Sequence, residues 1–401
     1  MIDLSSSPLQ IITAFFVFLF GCVLALLLRK PFQAKTSRVL SLYIWHSLFS
    51  IVYLVYASNF GGDAITYYRA SFLPDLEFGF GTVGLWLLTS LFSQGFGLSL
   101  IGTFLVFQIF GFIGLLAFDA ALREVTQYKS RQIRHLATLI VFLPSISFWS
   151  AAIGKDSLSF MAMGLALWAA MKIKRRALLM VVAVLVMLFV RPHIAGMMVI
   201  GLASSIVFQR RTPILQRIIF GTAALAATAV LVPLGLNYAG VGENATSSDV
   251  MSYIEGREGQ NLQGGSSVDI ANMSFPMKLY TYLFRPMPFE ANSIFSLLAS
   301  VDNIILLFLF IAGIRAALKK KLPSRFSEHN RIFLWIYSFL VWIILALTTA
   351  NLGIAMRQKW MFAPILIFLF ISLIGKERKT KTVLGTERTD TSFPQNTARL
   401  K

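Results

Sequence analysis

Apolar runs of about the length that crosses a lipid bilayer recur along almost the whole chain, with short polar connections between them. Every backbone N–H and C=O group in lipid must be hydrogen-bonded within the protein, so we expect these runs to be helices. Hydrophobic residues make up 56% of the 401 residues and charged residues only 13%. A composition of this kind excludes an ordinary soluble domain. The sequence therefore predicts an all-α polytopic integral membrane protein.

The net charge of +18 is distributed in a way that indicates membrane topology rather than a nucleic-acid partner. Of the 36 lysines and arginines, 28 fall in alternate connections and in the C-terminal tail. By the positive-inside rule these parts face the cytoplasm, which predicts eleven spans with the N-terminus outside and the C-terminus cytoplasmic. The predicted spans are 9–28, 39–56, 97–117, 136–153, 154–171, 177–191, 193–208, 218–236, 293–314, 332–350 and 361–375.

The remaining segments complete the predicted organisation. Residues 1–375 form a single transmembrane domain. Segment 80–95 is apolar but would break the charge alternation if it crossed, so we expect an amphipathic or re-entrant helix on the outer side. The longest connection, 237–292, is predicted to be a periplasmic loop with a Gly- and Ser-rich first half. The basic segment 376–401 is predicted to be a disordered cytoplasmic tail.

Two predicted hairpins are too short to reach the outer surface. Residues 136–171 provide two crossings in 36 residues and 177–208 in 32, against roughly 20 residues for each crossing. Their tips, Lys155-Asp156 and Arg191-Pro192-His193, are expected to lie below the outer plane. A charge at that depth costs a few kcal/mol unless it faces water or a partner, which favours an aqueous cavity. The alternatives are a neutralised pair that fixes a tight hairpin and an arginine that snorkels.

The stretch "GGDAITYYR", residues 61–69, combines several polar groups on a Gly-Gly turn. Asp63 is a candidate general base, Tyr67 and Tyr68 a candidate sugar-stacking surface, and Arg69 a candidate anion ligand. The alternative is an Asx turn with aromatic side chains at the membrane interface.

Two further outer stretches carry charged residues at membrane edges. "FRPMPFEAN" contains Arg285 and Glu290, and "NLGIAMRQK" contains Arg357 and Lys359. Alternatively, the first is an aromatic anchor with an exposed ion pair and the second an anchor that sets topology.

Six cations from five connections thus lie at predicted outer positions, and convergent guanidinium and ammonium groups are suited to phosphate or pyrophosphate. They are Arg69, Lys155, Arg191, Arg285, Arg357 and Lys359. Asp63, His193 and Glu290 are the candidate bases, with Asp156 beside the cations. The 4 histidines share no ligand spacing, so we predict no cofactor and no histidine-bound metal. A divalent ion held by carboxylates stays open.

The motifs "GGDAITYY", "FWSAAIGKDSL", "RPH", "FRPMPFEAN" and "NLGIAMRQKW" together resemble the bacterial Wzy-type O-antigen and exopolysaccharide polymerases. These are similar in layout to GT-C glycosyltransferases. The resemblance implies polymerisation of undecaprenyl-pyrophosphate-linked oligosaccharides at the periplasmic face of the bacterial inner membrane, with a chain-length regulator or other exopolysaccharide assembly proteins as partners. In GT-C enzymes an acidic residue of the first outer loop acts as base, and Asp63 occupies that place. Related lipopolysaccharide ligases use a histidine near arginines, which points to Arg191 and His193.

We expect a metal-independent, inverting glycosyltransferase. Two alternatives are a flippase for an anionic lipid-linked saccharide and a GT-C enzyme that uses a polyprenyl-monophosphate sugar. A carrier exposes its site to both faces in turn. On the cytoplasmic side the basic residues are expected to lie in ordinary loops, which favours the enzyme.

Overall fold

The computed structural model describes residues 7–208, 272–291, 293–319 and 330–375, with scattered positions between 214 and 229 and at 268 and 270. In this part of the chain the regular structure is helical and contains no β-strand. The helices are α1 (Pro8–Leu28), α2 (Thr36–Phe60), α3 (Asp63–Ala70), α4 (Thr82–Ser90), α5 (Leu100–Thr126), α6 (Arg131–Val141), α7 (Pro144–Ser150), α8 (Lys155–Ala170), α9 (Ile173–Val190), α10 (Pro192–Val207), α11 (Phe275–Phe284), α12 (Ile294–Leu318), α13 (Arg331–Thr348), α14 (Leu352–Gln358) and α15 (Ala363–Leu373).

Within the described ranges, 6 helical segments are long and apolar enough to cross a membrane. They are α1, α2, α5, α6 with α7, most of α12, and α13. A seventh is formed if α14 and α15, with the 3₁₀ turn Lys359–Met361 between them, are one span bent by 61°. The prediction of an all-helical chain with several helices long and apolar enough to span a membrane is therefore confirmed for this part of the chain.

The count of eleven spans stays a prediction. Spans 154–171 and 193–208 coincide with α8 and α10, which have 16 residues each and are shorter than the roughly 20 of an ordinary crossing. Span 177–191 coincides with α9, which begins with basic residues. Most of 218–236, most of the loop 237–292 before α11, and the tail after residue 375 lie outside the described residues.

Helix α5 forms the centre of the bundle. Its most apolar window is 78% buried inside the molecule, whereas that of α1 is 17% buried and exposes side chains such as Phe16 and Phe20. Helix α8 lies directly on α5 at Gly114 and Gly164, where a Cβ on either residue would collide with the backbone of the other helix. Glycine at both positions lets the two backbones approach closely, as in other membrane helix pairs.

Two tight connections determine where charged residues lie. Between α2 and α3, Gly61 has a φ of +75° and Gly62 a φ of +153°, a region that residues with a Cβ rarely adopt. The turn makes Asp63 the first residue of α3. Between α9 and α10, Pro192 occupies the first turn of α10, and a residue before proline is disfavoured in helical conformation. Arg191 is therefore held in the junction itself.

Segment 80–95 is helical, as predicted. It forms α4 and continues as a π-helical turn over Leu91–Gly95. The N–H of Gly81, at the start of α4, donates to the carbonyl of Phe189 at 2.7 Å. This bond fixes the segment against the end of α9, next to the α9–α10 junction.

Candidate functional site

A cavity of about 280 Å³ lies where the C-terminal end of α2, the start of α3, the start of α8, the α9–α10 junction and α14 meet. These elements are far apart in sequence, and the fold brings their polar ends together. Of the twelve residues predicted for the site, seven line this cavity: Asp63, Tyr67, Lys155, Asp156, Arg191, His193 and Arg357. Both predicted hairpin tips are therefore at one site.

Four of these side chains form a continuous chain of alternating charges. Asp156 lies between the two arginines, with its Oδ1 2.7 Å from Nη2 of Arg191 and its Oδ2 3.1 Å from Nε of Arg357. Nη1 of Arg357 in turn donates to Oδ2 of Asp63 at 2.6 Å. One carboxylate thus holds both guanidinium groups toward the same space.

Exposure increases along this chain of charges. The side chains of Arg191 and Asp156 are 9% and 17% exposed, that of Arg357 is 23% exposed, and that of Asp63 is 52% exposed. Asp156 is in the first turn of α8, where the helix dipole favours a negative charge. Arg191 also donates from Nε to the buried Ser159 hydroxyl at 3.2 Å. The inner end is therefore fixed, while Asp63 is accessible at the mouth.

Tyr67 of α3 adds a hydroxyl to the wall of the cavity. Burial raises the pKa of this hydroxyl, and the nearby Asp63 and Asp156 carboxylates raise it further. Tyr67 consequently stays protonated at neutral pH and is a hydrogen-bond donor. Lys155 and His193 complete the predicted set in the cavity, whose lining contains two arginines and a lysine beside two carboxylates and the histidine.

Tyr68 and Arg69 of the same helix do not line the cavity. The Tyr68 hydroxyl donates to the carbonyl of Leu98 at 3.2 Å, and burial raises its pKa. Arg69 is exposed. Adjacent residues of a helix are about 100° apart around its axis, so α3 presents only one face, that of Asp63 and Tyr67, to the cavity.

Arg285 and Glu290 also lie outside the cavity lining, and they pair with each other. Nη2 of Arg285 is 2.7 Å from Oε1 of Glu290, and the N–H of Met287 donates to Oε2 of Glu290 at 2.8 Å. Burial by itself would raise the pKa of Glu290, but these hydrogen bonds and the charge of Arg285 lower it below its ordinary value. The pair closes a short turn at Pro288–Glu290.

Lys359 is the fifth predicted residue outside the cavity, and its side chain is directed into the core. It is 1% exposed, and its ammonium group donates to the side-chain oxygen of Asn303. Asn303 donates to the carbonyl of Pro286 at 2.9 Å, and the neighbouring Asp302 accepts from the hydroxyl of Ser145 on α7. We name Lys359, Asn303, Asp302 and Ser145 the buried polar cluster.

The sequence analysis missed the members of this cluster on α12, although a signal was present. Asp302 and Asn303 interrupt an otherwise apolar span, and an ionisable residue within a span marks a buried partner or a functional site. It also missed uncharged residues of the cavity wall, including Tyr53, Trp149 and Gln358. Tyr and Trp are common at membrane interfaces, and a single Gln next to a predicted anchor gives no distinct signal, so only the packing shows which of them face the cavity.

A second polar cavity, of about 450 Å³, lies at the other ends of α2 and α8. Arg38, Arg123 and Arg134 line it together with Asp119 and Glu124. The expectation that the basic residues of this side lie only in ordinary loops is therefore wrong. Arg38 and Arg123 belong to helix ends that pack against each other, so their side chains are drawn into the space between them.

No family model, curated protein or solved structure matches this chain. Among the described residues, no three His, Cys, Asp or Glu side chains lie together in a group that could hold a metal ion.

Proposed function

We propose that this protein is a membrane glycosyltransferase that joins oligosaccharide units carried on undecaprenyl pyrophosphate. One observation carries the proposal: two arginines and a lysine from three separate segments converge on one cavity beside an accessible carboxylate. A pyrophosphate leaving group requires such cations and an attacking hydroxyl requires such a base.

In the proposed reaction a sugar hydroxyl of the acceptor attacks the anomeric carbon of the lipid-linked donor. The new carbon–oxygen bond forms as the bond from the anomeric carbon to the pyrophosphate oxygen breaks, and the electron pair leaves with the pyrophosphate. Arg191, Arg357 and Lys155 stabilise the charge of that leaving group. The hydroxyl proton goes to Asp63, and attack opposite the leaving group gives inversion.

The ion pair between Asp63 and Arg357 gives this reaction an order of events. In this structure Nη1 of Arg357 donates to the Asp63 carboxylate at 2.6 Å, so the carboxylate is engaged by the guanidinium and not by an acceptor hydroxyl. Pyrophosphate oxygens compete for the same guanidinium N–H groups. Donor binding therefore releases Asp63, and the base becomes active only when a leaving group is in place. His193, on the same cavity, is the alternative base.

A Wzy-type polymerase with a GT-C-like fold, eleven spans, an outside N-terminus and a location in the bacterial inner membrane is consistent with the cavity at the predicted outer ends of α2 and α8. A chain-length regulator is the proposed protein partner. Catalysis is proposed to need no metal.

The test uses purified full-length protein in nanodiscs with a synthetic undecaprenyl-pyrophosphate oligosaccharide and EDTA. Mass spectrometry should show products longer by whole repeat units. Asp63→Asn should reduce the rate by at least about 100-fold while donor binding persists, because a general base contributes about 10²- to 10⁴-fold. Glu290→Gln is the matched control outside the cavity. Loss of activity in His193→Ala but not in Asp63→Asn would reassign the base. No product from the wild type, with either the undecaprenyl-pyrophosphate oligosaccharide or a polyprenyl-monophosphate sugar as donor, would overturn the proposal.

A carrier of anionic lipid-linked saccharides is the second candidate, and the second polar cavity favours it. A carrier needs a path between its two sites, whereas close packing of α5 on α8 around Gly114 and Gly164 separates the cavities in this structure. Reconstituted vesicles distinguish the two functions. A carrier moves labelled lipid-linked saccharide between leaflets without lengthening it, and the proposed enzyme lengthens it on one side.

A further inference from the structure

The second polar cavity lies at the opposite end of the bundle from the candidate active site. Helix α8 contributes Asp156 to one cavity and Trp168 to the other, which places them about 18 Å apart along the helix axis. The second cavity is at the predicted cytoplasmic end, where the basic residues concentrate. A ligand in the second cavity would therefore not contact the proposed active site.

Asp119, which is fully buried in α5, forms the anchor of this cavity. Arg38 donates to its Oδ1 at 2.6 Å, and Arg123 donates to its Oδ2 at 2.7 Å. The other nitrogens of Arg123 donate to the carbonyls of Gln33 and Phe32 at 2.7 and 2.8 Å. Both arginines are thus held in fixed positions. The single negative charge of Asp119 balances only one of their two positive charges.

The second carboxylate, Glu124, pairs with two cations that do not line the cavity. Its Oε1 is 2.6 Å from the ammonium group of Lys172, and its Oε2 is 3.9 Å from the guanidinium of Arg176. The guanidinium of Arg176 also lies 3.5 Å from the centre of the Trp168 ring. Three arginines and two carboxylates line the cavity, and Lys172 and Arg176 pair with Glu124 from outside the lining, so the lining and these two neighbours together carry an excess of three positive charges.

Several hydrogen-bond donors that line the second polar cavity are not used by the described residues. Arg134 on the first turn of α6 lines the cavity and makes no side-chain hydrogen bond or ion pair with another described residue. Nη1 of Arg38 is likewise not used by the described residues, because its bonds to Asp119 come from Nε and Nη2. Gln127 lines the same cavity and has a side-chain amide that can donate. These groups surround one open space of about 450 Å³.

We propose that this cavity binds a phosphate group, with Arg134, Arg38 and Gln127 as its ligands. An excess of positive charge with unused guanidinium donors suits phosphate oxygens. Basic pockets between helices at the cytoplasmic membrane surface bind the headgroups of anionic lipids. The phosphate belongs either to such a headgroup or to a free anion, and the chemistry of recognition is the same in both cases.

The experiment measures bound phosphate on the full-length protein by native mass spectrometry. One arm uses nanodiscs with phosphatidylglycerol in phosphatidylcholine, and the other uses phosphatidylcholine alone with added inorganic phosphate. Arg134→Gln should lower the bound fraction about five-fold in the arm that contains the ligand, as expected for the loss of one cation near a charged headgroup. Arg131→Gln is the control, because Arg131 is exposed on the same turn of α6, as Arg134 is, but donates to His135 at 3.1 Å and does not line the cavity.

Retention of phosphatidylglycerol that depends on Arg134 but not on Arg131 supports a lipid headgroup. An equally selective effect with inorganic phosphate alone supports a free anion. Equal retention in the wild type and both variants in both arms, or equal losses in both variants, would overturn the proposal. Turnover of lipid-linked oligosaccharide is not part of the readout, so failure here leaves the proposed function untouched.

Discussion

Arg357 and Lys359 are two residues apart in one short segment, yet they lie in opposite surroundings. Arg357 faces an open cavity and pairs with two carboxylates that are partly exposed. Lys359 faces the core and donates to Asn303 of α12 in a cluster with almost no exposure. A cation that faces a cavity can exchange its partner for a ligand, whereas a cation in a closed core has only its protein partners. Charge at a membrane edge therefore does not by itself indicate a ligand site.

The largest expected effect is on the cavity side of this comparison. Arg357→Gln removes the contact with Asp63 and one cation of the proposed leaving-group site, so the rate of oligosaccharide extension should fall by about 10²- to 10³-fold. The melting temperature should change little, because Asp156 keeps Arg191 as its partner at 2.7 Å. Turnover in nanodiscs and thermal unfolding in the same preparation check both parts. A variant with wild-type turnover would remove Arg357 from the site.

The next effect is on the core side. Lys359→Met leaves Asp302 and Asn303 without their cation, and breaking a buried charged arrangement by removing one partner costs about 3–5 kcal/mol of stability. Thermal unfolding in detergent should show a clearly lowered melting temperature. Lys359→Met combined with Asp302→Leu should recover most of it, since apolar replacement of a whole buried pair is often neutral. If the double variant were less stable than Lys359→Met, the cluster would have a role beyond balancing Lys359.

The smallest effect is at the partly exposed pair of Arg285 and Glu290. Glu290→Gln should cost about 0–1 kcal/mol, because ion pairs near solvent contribute little. Oligosaccharide extension should be unchanged, since Glu290 does not line the cavity. A loss of turnover as large as that of Asp63→Asn would restore Glu290 as a candidate base.

The pH dependence of this pair has a defined sign. The pKa of Glu290 is lower in the folded protein than its ordinary value. Its ion pair with Arg285 therefore stabilises the fold fully at pH values above that ordinary pKa. The contribution is lost as the pH falls through the folded pKa. The difference in melting temperature between the wild type and Glu290→Gln should therefore shrink under acidic conditions. A difference that grows on acidification would contradict the assigned sign.

Much of the fold could be predicted from local patterns. Ten of the eleven predicted spans coincide with described helices, because a long apolar run has few alternatives to a helix in lipid. The helical segment 80–95 was also predicted, from apolarity and charge alternation together. The two short hairpins were a useful signal, because their length predicted that Lys155, Asp156 and Arg191 lie below the outer plane in an aqueous cavity, and all three line one cavity in the structure.

The sequence by itself determined the membrane class, the helices and the turns that leave Asp63, Asp156 and Arg191 at helix junctions, because these depend on residue types that are close along the chain. Only the tertiary structure decided which cations meet. Lys359 points into the core and Arg357 into the cavity because successive side chains project in different directions around a helix and each face has a different neighbour. Those neighbours, α12 for one and α3 with α8 for the other, come from distant parts of the chain.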